Sequence, residues 1–251
     1  ADDNTALGRS ALYTNDTGTN NVALGRVALN ANTSGSQNVA VGRNALLANT
    51  TASSNTAIGY KSLEDNTTGH NNAAIGVGSL ENNTTGQNNS AIGSIALITN
   101  TTGSYNTALG SQASYSNTTA SHNTSVGYQA LYANTTGSYN IAVGNSSGDA
   151  NTTGTENTAI GYGALSENTT SSYNTAVGSN ALNANTADNN VAIGRDALKA
   201  NTSATSNTAV GYRSGDSVTT GQENTFVGSN CGGGTTTGRS NVAIGYETFL
   251  N

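Results

Sequence analysis

Few side chains in this sequence could do chemistry: His70, His122, Cys231 and a scatter of carboxylates. A metal centre needs several histidines, cysteines or carboxylates converging on one point, and the two histidines fall at different phases of the pattern described below. Asp2, Asp3, Asp16 and Asp65 are spread out, without the recurring aspartate of calcium-binding rolls. Serine and threonine are so abundant that a Ser, His and Asp combination arises by chance, which gives no weight to a catalytic triad. The glycine-rich stretch CGGGTTTG, residues 231–238, lacks the lysine that a phosphate loop requires. The chemistry-bearing residues therefore predict no catalytic residue, no metal and no cofactor.

The elements that would have to position such residues are unusual too. Only 9% of the 251 residues are charged, against about 25% in ordinary soluble domains. Proline, methionine and tryptophan are absent, and small polar residues dominate. The net charge of −6 gives no attraction to nucleic acid or to an anionic membrane. No apolar run approaches the ~18 residues that would insert into a bilayer. A single cysteine excludes an internal disulfide framework. The opening at Ala1 suits either a mature secreted product or a segment of something longer.

Periodicity organises the chain. Asn4, Asn21, Asn38 and their successors to Asn241 recur every 17 residues, with one step of 16 between Asn174 and Asn190. Glycine follows each of these asparagines four residues later, and the residue before that glycine is always Leu, Val or Ile. The consensus is N-T-A-(I/V/L)-G-x-x-(A/S)-L-x-x-N-T-T-G-S-x, numbered here as positions 1 to 17. The array occupies residues 1–251, with its final repeat cut short at Asn251 and no separate globular domain.

Each repeat carries two apolar pieces, T-A-I and A-L. Both are too short for a helix, which wants ~10 or more residues. Glycine and N-T-T-G punctuate them as turns, so each repeat is expected to hold two short strands and two turns. The Asn-Gly and Asp-Gly dipeptides of tight hairpins do not occur. The expectation is an all-β fold: a β-solenoid (β-roll) of about fifteen stacked coils, 17 residues each. Every position then becomes a row. In one repeat, Asn157 and Asn168 would stack as amide ladders, Gly161 would mark a corner, and Ile160 and Leu165 would belong to core rows. Cys231 stands where other repeats have Ala or Ser and reads as a small buried filler. Gly148 and Gly215 replace the row leucine and predict looser packing.

A coil of this kind fixes many residues around few large apolar side chains. Neighbouring residues of a strand face opposite ways, so the alanine at position 3 and the aliphatic at position 4 cannot share one interior. One row should face the roll and the other a second chain, which predicts a parallel homo-oligomer. Three is the natural number if the rows meet on an axis, although geometry alone does not fix it. No polar capping unit is visible, so end-to-end joining into a filament is a further expectation.

At N-T-A-I-G and at N-V-A-I-G (Asn190–Gly194, Asn241–Gly245) the sequence resembles the head repeats of YadA-like trimeric autotransporter adhesins, and related repeats of bacteriophage tail fibres. The family unit is usually 14 residues, three shorter than here. The resemblance implies a left-handed β-roll, parallel association of three chains, and an extracellular adhesive or spacer fibre. It brings no catalytic residue.

Three surface features complete the reading. N-x-T triplets, such as Asn49-Thr50-Thr51, Asn66-Thr67-Thr68 and Asn100-Thr101-Thr102, are formally glycosylation acceptors but read better as turns with local hydrogen bonds. Tyr105, Tyr139 and Tyr173 could contact a glycan or protein of a host surface, or pack between coils or chains. Regular threonine columns bring ice binding to mind, but adjacent threonines on an extended segment point opposite ways. The functional expectation is a non-enzymatic fibre segment on a cell or virion surface. A self-polymerising extracellular filament and an ice-binding solenoid are the alternatives.

Overall fold

The computed structural model describes residues 2–249. Ala1, where the chain opens, and Leu250 and Asn251, which end the cut-short repeat, lie outside the described residues. The chain divides into two compact units, residues 1–123 and 124–251. Among the described residues every regular element is a three-residue strand.

The first unit holds β1 (Thr5–Leu7), β2 (Val22–Leu24), β3 (Val39–Val41), β4 (Thr56–Ile58), β5 (Ala73–Ile75), β6 (Ser90–Ile92) and β7 (Thr107–Leu109). Successive strands pair in parallel at a register of one repeat, so Ala57 lies beside Ala74 and Ile58 beside Ile75. Like positions therefore form continuous rows, at a coil spacing of about 4.8 Å. This is a β-solenoid, as the period predicts.

One strand per coil forms, not two. The A-L segment is a turn whose backbone bonds to the coils on either side. In β4's coil, Lys61 N donates to Arg43 O (3.0 Å) and Leu63 N to Ser79 O (3.1 Å). Asp65 N donates to Glu81 O (2.9 Å) in the same manner. Such opposed directions need alternating backbone hands. Lys61 and Leu63 have φ of 59° and 52°, in a region that costs an L-residue roughly 1–2 kcal/mol. Full burial of Leu63 offsets this cost, since burying a leucine contributes about 1.5–3 kcal/mol.

The interior differs from expectation in one row. Leucine at position 9 is core, as read: Leu29, Leu46, Leu63, Leu80 and Leu97 are fully buried. Opposite them stands position 3, where Ala57, Ala74 and Ala91 are also fully buried. The position-4 aliphatics point out. Ile58 and Ile75 are each 38% exposed. The space between strand and leucine row admits a methyl group and little more.

The second unit repeats the plan with β8 (Thr124–Val126), β9 (Ile141–Val143), β10 (Thr158–Ile160), β11 (Thr175–Val177), β12 (Val191–Ile193), β13 (Thr208–Val210), β14 (Thr225–Val227) and β15 (Val242–Ile244). Pairing is again parallel and in register, Ala159 beside Ala142 and Ala176. Phe226 takes position 3 in β14 and is fully buried. Glycines make room for it: a Cβ on Gly232 would lie 2.5 Å from Phe226 Cδ1, and one on Gly215 would lie 2.9 Å from Cδ2. The leucine missing at Gly215 is thus replaced by a phenylalanine arriving from the opposite wall, and the packing expected to be loose there is filled. Cys231 is a buried filler, its Sγ 3.1 Å from Ala243 O.

Candidate functional site

Four rows of side chains, at positions 12, 1, 16 and 13, hold the coils together, and they define which surface is left over. At position 13, Thr67 Oγ1 donates to Thr84 O (3.0 Å) and Thr84 Oγ1 to Thr101 O (3.0 Å). At position 12 the asparagines form an amide ladder. Asn83 Nδ2 donates to Asn66 Oδ1 (2.8 Å) and to Gly86 O (3.0 Å), and Asn83 Oδ1 accepts from Asn100 Nδ2 (2.8 Å). At position 1 the scheme changes. Asn157 Oδ1 accepts the backbone N–H of Asn174 (3.0 Å), while Asn157 Nδ2 crosses to Ser171 O (2.7 Å). Both asparagine rows are buried, which removes Asn49, Asn66 and Asn100 from reach of a glycosylating enzyme in the folded chain.

A third ladder at position 16 was not legible beforehand. Ser36 N donates to Ser53 Oγ (3.0 Å) and Ser104 N to Ser121 Oγ (3.0 Å). His70 Nδ1 and Asp188 Oδ1 serve as acceptors where serine is replaced, for Ser53 N and Ser172 N respectively. The common requirement is an acceptor within reach, which a search for one conserved letter overlooks.

The 16-residue coil breaks the position-12 ladder. There Asn185 Nδ2 turns to Ala187 O (2.7 Å), and Asn168 Oδ1 in the coil before is buried without a partner. Asn168 itself still donates to Asn151 Oδ1 (3.3 Å). Further on, Val218 and Thr235 occupy the same row, and Thr235 Oγ1 is likewise orphaned.

Gly161 is a corner, as expected. Its φ is 132° and a Cβ would lie 2.6 Å from both C and O of Gly178 in the next coil, so no side chain fits there. Leu165 is buried and Ile160, contrary to the core assignment, is 38% exposed.

The outward sheet face is what remains. Positions 2 and 4 of every strand point to solvent. None of their residues is charged in either unit. In the first unit the position-4 row runs Leu7, Leu24, Val41, Ile58, Ile75, Ile92 and Leu109 without a polar interruption; in the second, Val126, Val143, Ile160, Val177, Ile193, Val210, Val227 and Ile244. Position 2 is mixed, Thr56 beside Val39 and Ala73. An outward apolar row of this kind is a candidate interaction face.

Tyr105, Tyr139 and Tyr173 all stand at position 17, with φ near 60°. In the first unit Tyr105 stacks on His122, with centroids 4.9 Å apart and planes 5° from parallel. That ring face is therefore engaged between coils, the packing alternative for this row. In the second unit Tyr139 and Glu156 line a shallow hollow of about 390 Å³, and Tyr173 is one coil further.

No family model, curated protein or solved structure matches this chain. Among the described residues no group of three or more His, Cys, Asp and Glu could hold a metal, and no helix is long and apolar enough to cross a membrane.

Desolvation raises the pKa of two carboxylates, Asp65 and Asp149. Asp149, at position 10, is pushed above the usual carboxylate range by desolvation, partly countered by its own and Ala150's backbone N–H and by Ser146. Its Oδ1 is buried without a partner.

Proposed function

We propose that this chain is a non-enzymatic fibre segment of a cell or virion surface that assembles as a parallel homotrimer through its outward sheet face. The observation that supports it is the uninterrupted position-4 aliphatic row. A surface repeating every coil is matched best by another surface with the same repeat, and a second copy provides one. Aligned in parallel, aliphatics of one copy meet aliphatics of the next at every level. Position 4 forms the larger row and position 2 the smaller, so three copies can bring position 4 to a common axis where each row touches two others. Two outward positions on each strand give 14 residues in the first unit and 16 in the second, each somewhat below a standard interface of about 20–30 residues a side.

The test is sedimentation velocity on the full chain at micromolar concentration. A trimer is expected. The triple variant Ile58→Glu, Ile75→Glu and Ile92→Glu should shift it toward monomer while the β-type circular dichroism persists. A folded wild-type monomer would defeat the proposal, and an open-ended size distribution would replace it with the filament. Ice binding is less favoured, because the hydroxyl column at position 2 is interrupted at Val22, Val39 and Ala73; thermal hysteresis in a cooled drop would reinstate it.

A further inference from the structure

One constellation occurs twice in the molecule, once in each unit, and the rows described above do not require it. It consists of an arginine at position 6, a tyrosine at position 6 of the next coil, a cation beside that tyrosine, and a carboxylate three residues later. In the first unit these are Arg43, Tyr60, Lys61 and Glu64; in the second, Arg195, Tyr212, Arg213 and Asp216. The geometry repeats as well. The Arg43 guanidinium carbon is 5.8 Å from the Tyr60 ring centroid, and that of Arg195 is 5.9 Å from the Tyr212 centroid. Lys61 Nζ is 3.0 Å from Glu64 Oε2, and Arg213 Nε is 2.7 Å from Asp216 Oδ2.

The two copies differ in charge. In the first, Lys61 is clamped a second time by Glu81 at 3.0 Å, and these two carboxylates raise its pKa. Asn44 Nδ2 also donates to Glu64 (2.7 Å). That cluster is closed on itself. In the second, the residue one coil beyond Asp216 in the same row is Gly233, so that row brings no second carboxylate, and Glu247 lines a separate adjoining hollow with Arg213 and Asp216. Lys199 adds a cation instead, 3.6 Å from Asp196. Three cations face two carboxylates around an open groove of about 620 Å³, in a chain whose net charge is −6.

Both arginines of this groove meet their acids through Nε: Arg195 to Asp196 Oδ2 (3.2 Å) and Arg213 to Asp216 Oδ2 (2.7 Å). Each acid holds its guanidinium through Nε, a donor separate from the pair of terminal nitrogens. A guanidinium fork presents paired donors that suit a carboxylate or sulfate. Tyr212, 45% exposed, has the Arg195 guanidinium over its ring and offers the groove the part of the ring that this contact leaves open. Asn183 and Ser217 extend the lining with neutral hydrogen-bonding groups. The groove is thus longer than one inorganic oxyanion, polar, and open to solvent.

We infer that this groove of the second unit binds an acidic saccharide, a sugar bearing carboxylate or sulfate groups, with Arg195 and Arg213 taking the oxyanions and Tyr212 packing against a sugar ring. The site lies outside the proposed assembly face and does not depend on it. The probe is a heparin-derived tetrasaccharide titrated into the full chain by calorimetry, with maltotetraose as the neutral control and inorganic sulfate as competitor. The tetrasaccharide is expected to bind and maltotetraose not to. Arg195→Gln and Arg213→Gln should each weaken binding roughly tenfold with unchanged circular dichroism, and Arg43→Gln should leave it unchanged. Equal binding of maltotetraose would overturn the inference. So would sulfate displacing the saccharide at equal molarity, or a loss that follows the exposed stack Arg9, Arg26 and Arg43 instead of Arg195 and Arg213.

Discussion

Replacing Asn83 by aspartate tests the position-12 ladder at constant shape. The native amide donates to Asn66 Oδ1 and Gly86 O and accepts from Asn100 Nδ2. Aspartate keeps the acceptance and loses both donations. Gly86 O retains a second donor, Asn72 Nδ2 at 2.9 Å, so one acceptor is orphaned and a carboxylate oxygen is forced against it. An orphaned buried group costs about 1–3 kcal/mol, and holding the carboxylate buried against it adds a cost of similar size. The expected destabilisation at pH 7 is roughly 2–5 kcal/mol. Burial raises the folded-state pKa of the new carboxyl above its unfolded value of about 3.9. Between those two values the folded state binds more protons than the unfolded one, so the variant's stability falls as pH rises. The penalty should be smallest below pH ~4, where a protonated carboxyl returns one donor, and largest at neutrality. Guanidinium unfolding of wild type, Asn83→Asp and Asn88→Asp at pH 3 and pH 7 measures this, Asn88 being exposed at position 17 and carrying the same charge change. If Asn83→Asp is no worse than Asn88→Asp at pH 7, or if its penalty grows toward acid, the ladder does not contribute as described.

Gly161→Ala should destabilise the second unit by more than about 2 kcal/mol, from strain at φ 132° and the clash with Gly178; hydrogen exchange at β10 and β11 would report it. Phe226→Ala should cost about 3–5 kcal/mol as a cavity. Adding Gly215→Leu, which restores the majority pattern, should recover part of that loss, and purely additive melting shifts would contradict the size exchange. Asp149→Asn removes a carboxylate whose pKa burial raises. Such a group favours the folded state only at low pH and loses that contribution as pH rises through its folded value, so the substitution should raise the melting temperature at pH 7 and leave it nearly unchanged at pH 3.

Much of the architecture was legible because a period of 17 leaves few alternatives. The strand, the glycine corner at Gly161, the leucine row and both asparagine ladders follow from asking what identical letters do when stacked. The choice between Ala159 and Ile160 for the interior did not follow, since alternation says only that they differ. It is settled by the width of the interior, which is a property of the closed coil. The missing second strand has a related cause. Leu165 at φ 52° is an unusual residue for a left-handed backbone, so its apolar character suggested a strand. A signal existed: position 9 turns to glycine at Gly148, Gly215 and Gly232, and position 7 to Gly78 and Gly163. The position-16 ladder was hidden because serine, histidine and aspartate share an acceptor but not a letter. The Arg–Tyr constellation was hidden because its members come from successive coils.

Uniform steps carry a hazard during folding. A strand such as Thr-Ala-Val can add to the growing sheet one whole repeat too early, bulging out the skipped repeat, and almost every hydrogen bond will still form. The second unit carries marks against this error. Phe226 is accommodated only with Gly232 in its own coil and Gly215 in the one before, and the 16-residue coil fits a single place in the stack. Together they act as an index, so that a slipped arrangement meets a clash or a void and can be undone before the neighbouring coils lock it in.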